Sequence, residues 1–160
     1  MNLVVHSFCS PADASSACQN SYILAYPQLG ACAIVDPPCP TRCSETLAAI
    51  RDCVELHDYL PGWILHTTAD SAQAEVVRLL QQQMLCAQSV LAAPTDLLGN
   101  NECQNYDRVV GAGERIQLGN AFGSVQQLGS TLAFVFEHFV FAAQPTDCID
   151  NKKVLTRLAA

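Results

Sequence analysis

The chain has 160 residues, half of them hydrophobic and only 14% charged, with a net charge of −7 and a pI near 4.8. That length and apolar content suffice to bury one sizeable core, so residues 1–160 read as a single domain. With no Lys/Arg cluster, the composition excludes a nucleic-acid backbone or an anionic membrane as partner, and no apolar run approaches the ~18 residues of a membrane helix.

The opening MNLVVHSFCSP lacks the basic segment and long apolar stretch of a signal peptide, which predicts a cytoplasmic protein. Nine cysteines are many for that compartment. Their odd number and irregular spacing disfavour a disulfide framework. Cys39 and Cys43 form a C-x3-C with Cys32 upstream, a candidate thiol site, yet no second ligand pair follows as a zinc ribbon requires. Cys53 and Cys86 stand among apolar neighbours and read as small core residues.

In chain order, Leu3 to Phe8 and Ser21 to Tyr26 read as strands separated by a small-residue loop, and Ala31 to Val35 as a third strand ending at Asp36-Pro37-Pro38. Thr41 to His57 reads as a helix with Leu47, Ile50 and Val54 as its apolar stripe and Thr41 or Ser44 as its cap. Trp63-Ile64-Leu65 is a buried strand that breaks through His66-Thr67-Thr68-Ala69 into a second helix, from about Asp70 to Gln83. Asp70 is placed to cap that helix, with Gln73 in the capping-box position. Gln88 to Leu91 is a short strand, and Pro94 to Asp107 an irregular connection. Val110-Gly111-Ala112-Gly113-Glu114 lacks the third glycine of a dinucleotide motif and reads as a turn. Two hairpins close the pattern, Arg115–Leu118 with Phe122–Gln127 and Thr131–Phe136 with His138–Ala143. In the second, Phe134, Phe136, Phe139 and Phe141 mark one face, as core or as dimer surface.

A strand that ends in a polar loop opening a helix is where α/β sheets place their sites. The segment His66-Thr67-Thr68-Ala69-Asp70-Ser71 resembles the H-x-H-x-D-H signature of the metallo-β-lactamase superfamily, nearest to the H-x-H-A-D-H of its glyoxalase II and persulfide dioxygenase branch. His66 matches the first histidine, and Ala69-Asp70 the Ala-Asp. Thr68 and Ser71 stand where the other two histidines belong. Gly113-Glu114-x-Ile116-x-Leu118-Gly119 and Phe141-Ala142-Ala143-Gln144 resemble two later family segments, so the likeness runs from about Leu3 to Thr146. It implies an α/β fold, an αββα metallo-β-lactamase-like sandwich in truncated form.

The same resemblance implies a metal centre of zinc or iron, and the residues depart from it. A hydroxyl is a poor substitute for imidazole at such a metal. Gln144, a neutral amide, occupies the bridging-carboxylate position. The segment that carries a further histidine is missing between Gln127 and Ser130, and the chain ends short of the family's C-terminal part. His66, Asp70 and Gln144 are therefore vestigial candidates, each with an ordinary structural role open to it. Asp36 reads as a strand-end turn residue. Neither His6 in the first strand, His57 at a helix end nor His138 at a hairpin turn is expected to restore the site. The expected function is a non-catalytic binding or assembly subunit without cofactor, acting as a homodimer or with a protein partner. The alternatives are a hydrolase or persulfide dioxygenase with a reduced metal site, and a thiol-based sulfur carrier or redox protein.

Overall fold

A computed structural model describes residues 2–10, 19–39, 41, 43–69, 73–84, 87–94 and 101–142. Asp70, Ser71, Cys86 and Gln144, and with them the Asp70 cap and the bridging position, lie outside the described residues.

The strands are β1 (Val4–Ser10), β2 (Gln19–Tyr26), β3 (Ala31–Val35), β4 (Leu60–His66), β5 (Gln88–Ala92), β6 (Arg108–Val110), β7 (Arg115–Leu118), β8 (Ala121–Leu128), β9 (Thr131–Phe136) and β10 (Phe139–Ala142). The helices are α1 (Ser44–Leu56) and α2 (Gln73–Gln83). The first six strands form one sheet in sequence order, and β10-β9-β8-β7 form a second. In the first sheet β1, β2 and β3 pair antiparallel, whereas β3 to β6 pair parallel. Parallel pairing requires crossovers, and α1 and α2 supply two of them.

Alternation along the strands sorts the cores. Leu24, Tyr26, Ala33, Val35, Leu65 and Val90 of the first sheet meet Ile116, Leu118, Val125, Phe134, Phe136 and Phe141 of the second. The Phe-rich face is thus core, with Phe139 opposite Phe136 and Phe141 opposite Phe134. Residues one position along, Ile23, Ile34 and Ile64, point the other way and pack on α1 and α2. Among the described residues both helices cover the first sheet. On β9 and β10, Ala133, Val135 and Val140 form a separate buried cluster on the face turned away from the first sheet.

Helix α1 buries Leu47, Ile50 and Val54 as its spacing predicts. Its cap is neither Thr41 nor Ser44 but Cys43, which makes no side-chain capping bond; the Cys43 amide instead reaches the Cys39 carbonyl at 2.9 Å. Asp58, at φ 53°, turns the chain left-handed after the helix. The Asp58 amide bonds Glu55 O and the Tyr59 amide bonds Val54 O, the paired bonds of a Schellman ending. This folds Tyr59 back under the helix beside Val54.

Two strand assignments and one expectation about the cysteines change. Strand β4 begins at Leu60, earlier than Trp63, because Gly62 is the extra residue of a bulge opposite Cys32 and Ala33 and lets pairing continue through Pro61. Arg108 to Val110, just after the expected irregular connection and reaching into the expected turn at Val110, is a strand that joins the sheet beside β5. It is too short to show any alternation of its own. Cys9 is disulfide-bonded, against the expectation from spacing, and the other five described cysteines are outside any disulfide.

Candidate functional site

Two places on β4 gather the side chains of interest, one at each end. At the C-terminal end, β3 and β4 run parallel with Val35 opposite Leu65, so Asp36 and His66 emerge side by side. Asp36 adopts φ 47° and uses nearly all its polar atoms. Its amide bonds Leu65 O at 2.8 Å, and its carbonyl accepts Ser21 Oγ at 2.6 Å. Its carboxylate accepts the Thr67 amide at 2.8 Å and Thr67 Oγ1 at 2.6 Å. The residue keeps some exposure, but its carboxyl group is enclosed. Burial pushes the Asp36 carboxyl up to about 6, against the pull of the two Thr67 bonds. Tyr22 nearby is raised to about 12, by burial first and by the Asp36 charge second. Asp36 is therefore more than a turn residue: it holds the loop that leaves β4.

His66 is 0% exposed. Strand alternation turns it toward the helix-bearing side, like Ile64 and unlike Leu65. There its ring meets Tyr106 edge-on at 5.0 Å between centroids, beside the cluster of Leu91, Ala93, Cys103 and Tyr106. Thr68 next in line is exposed. The metal implied by the family signature needs at least three good donors converging on it. Here the imidazole is enclosed, position 68 offers a hydroxyl, and among the described residues no group of three His, Cys, Asp or Glu side chains gathers at this end. The described residues do not fit that metal. Between β8 and β9, Gly129 at φ 62° makes a tight turn from Leu128 to Thr131, which leaves no room for an inserted ligand loop.

The other end of β4 differs. His6 on β1 and Cys53 and His57 on α1 each place one ligand atom within 4.8 Å of the others. His6 and His57 rings stand edge to face at 4.9 Å. Tyr59 packs on both, and its Oη lies 3.3 Å from His6 Nε2. Burial, and then the neighbouring His57, hold His6 below its ordinary value, and burial raises Cys53. Cys53 packs against the core under α1 as expected, and His6 and His57 lie beside it. The sequence signal was the i, i+4 spacing of Cys53 and His57, which puts both on one helix face; nothing local pointed to His6. A groove of about 390 Å³ opens next to this cluster, lined by Arg51, Val54, Tyr59, Leu60 and Met84 among others.

Cys39 and Cys43 are half-buried free thiols. The Cys39 Sγ lies 3.1 Å from Thr41 Oγ1. His138 sits in the β9–β10 turn against Phe139.

No protein-family profile matches the sequence, and no curated protein sequence matches it significantly. Solved structures do match. A metallo-β-lactamase from Staphylococcus aureus subsp. aureus COL superposes over 82% of this chain with a TM-score of 0.60 and 17% identity. The fold is that of the metallo-β-lactamases. The BLEG-1 B3 metallo-β-lactamase matches over 87% of the chain and 71% of its own length, with a TM-score of 0.61 and 12% identity. The FEZ-1 metallo-β-lactamase from Legionella gormanii covers 84% of the chain at a TM-score of 0.52 and 15% identity. The chain spans only 36% of the Staphylococcus aureus protein and 62% of FEZ-1. Identities this low carry the metallo-β-lactamase fold across and no activity. Among the described residues no helix is long and apolar enough to cross a membrane.

Proposed function

We propose that this chain is a non-catalytic protein on the metallo-β-lactamase fold, serving as a binding or assembly subunit. The observation that carries the reading is the state of the β4 loop. Its one histidine, His66, is fully enclosed against Tyr106, and the residue after it is bonded to the Asp36 carboxylate. A hydrolytic or oxygen-activating centre needs an accessible ion with an open coordination position, and this arrangement offers neither.

The binding role rests on surface. Leu56 and Leu60 are 81% and 72% exposed, and Leu60 borders the apolar groove at the start of β4. Apolar surface of this kind suits a second copy or another protein. We place the protein in the cytoplasm, a reading supported by the five described cysteines outside any disulfide and opposed by the one bonded at Cys9.

The test is activity of the purified protein on β-lactam, thioester and persulfide substrates, with zinc or ferrous iron added, because the His66–Ser71 segment resembles the glyoxalase II and persulfide dioxygenase branch. No turnover above the metal-only background is expected. Turnover that disappears in His66→Ala would show an enzyme instead. A sedimentation run at micromolar concentration checks assembly: a dimer is expected, and a clean monomer that recovers no partner would count against the subunit role.

A further inference from the structure

We propose that His6, Cys53 and His57 form a zinc-binding site that ties the edge strand β1 to the last turn of α1. The site is at the β1 edge of the sheet, with β2 and β3 between it and the strand that carries His66.

The backbone beneath two of the ligands is held in place. Cys53 and His57 are one helical turn apart, and the His57 amide bonds the Cys53 carbonyl at 3.2 Å. The Schellman ending through Asp58 and Tyr59 then closes the helix immediately after them. Both side chains therefore leave the helix on one face at a fixed separation. The third ligand comes from β1, where His6 pairs across with Ile23. Ile23 belongs to the core under α1, so His6 faces the helix and not the second sheet.

The donor set selects the ion. One thiolate with two imidazoles suits a borderline ion such as Zn²⁺ and not the oxygen-seeking Mg²⁺ or Ca²⁺. Tetrahedral zinc with bonds of about 2.0–2.3 Å sets its donors roughly 3.3–3.8 Å apart. The present spread of up to 4.8 Å closes with a side-chain shift of about one ångström, and His57 is exposed and able to make it. The Tyr59 hydroxyl orients the His6 ring, as the outer hydrogen bond of a ligand histidine does. Water completes the fourth position. On binding, the Cys53 S–H bond breaks, the sulfur lone pair forms the S–Zn bond, and the proton leaves to solvent.

The experiment uses the full chain, reduced and stripped with a chelator, then titrated with Zn²⁺ against a chromophoric competitor. One equivalent is expected. His57→Ala and Cys53→Ser should weaken it by about a hundredfold or more, whereas Cys43→Ser and His66→Ala should leave it unchanged. Co²⁺ in place of zinc should give a thiolate-to-metal charge-transfer band that Cys53→Ser abolishes. His57 is exposed, so its variant folds and decides the matter even if the Cys53 and His6 variants do not. No stoichiometric binding, binding undiminished in His57→Ala, or binding lost equally in Cys43→Ser would each overturn the site. Loss in His66→Ala alone would instead overturn the non-catalytic reading of the β4 loop, which keeps the two failures distinct.

Discussion

Asp36 grips Thr67 twice, through the backbone amide at 2.8 Å and the hydroxyl at 2.6 Å, and so ties the end of β3 to the loop after β4. Burial raises the carboxyl to about 6 from an ordinary 3.8. Between those two values the folded protein holds a proton that the unfolded chain has released. The Asp36 contribution to stability is therefore complete below about pH 4, falls as pH rises, and is gone above about pH 6. Asp36→Asn still offers Thr67 an acceptor and a donor but does not titrate. Denaturation measured from about pH 4 to about pH 7 should show the wild type losing ground to the Asn variant across this range. Asp36→Ala leaves the Thr67 amide without its acceptor and should cost about 1–3 kcal/mol at the acid end of this range, and less as pH rises. Parallel pH profiles for wild type and Asp36→Asn would contradict the assignment.

His66 has no exposed surface and packs on Tyr106. Replacing it with alanine removes a buried ring and leaves a cavity. A loss of roughly 2–4 kcal/mol is expected, read as a lower urea midpoint. A variant as stable as the wild type would show that the ring is not packed where it stands.

Gly123 lies on β8 opposite Ile116, with the Phe136 ring over its Cα. A Cβ there would come within 2.4–2.6 Å of three atoms of the ring. Phe136 is itself 0% exposed and cannot swing aside. Gly123→Ala should cost about 1–3 kcal/mol by overpacking, while Gly111→Ala, with open space around it, should change little. The pair of thermal melts tests this, and equal effects would refute it.

Asp58 closes α1 in a left-handed conformation at φ 53°, where glycine carries no Cβ penalty. Asp58→Gly relieves that strain, offset in part by greater freedom of the unfolded chain. A net gain of about 0.5–1 kcal/mol is expected from denaturant midpoints. A loss would mean that the aspartate side chain contributes at this ending.

Much of the architecture was legible because strand alternation and helical spacing are local. Leu47, Ile50 and Val54 lie on the buried side of α1 as their spacing requires, and the four phenylalanines of the last hairpin share one buried face. The likeness of Leu3 to Thr146 to metallo-β-lactamases held at the level of fold. Where expectation failed, the deciding force was not local. Arg108 to Val110 becomes a strand because β5 offers an unpaired edge beside it, and Asp107 anchors its start by accepting the amide and hydroxyl of Ser89 and the side chain of Gln81. The cap of α1 at Cys43 follows from the Cys39 carbonyl being in reach, not from any side chain.

By itself the sequence determined the two-sheet framework and the apolar faces, since each depends on residue identity and short-range period. Only the tertiary structure decided what His66, Asp36 and His6 do. His66 lies against Tyr106, forty residues along the chain. Asp36 bonds Thr67, thirty-one residues away. His6 meets Cys53 and His57 because an antiparallel edge strand and a crossover helix share one side of a sheet. Such contacts form when distant segments are packed over a common core, and no pattern within either segment encodes the other's position.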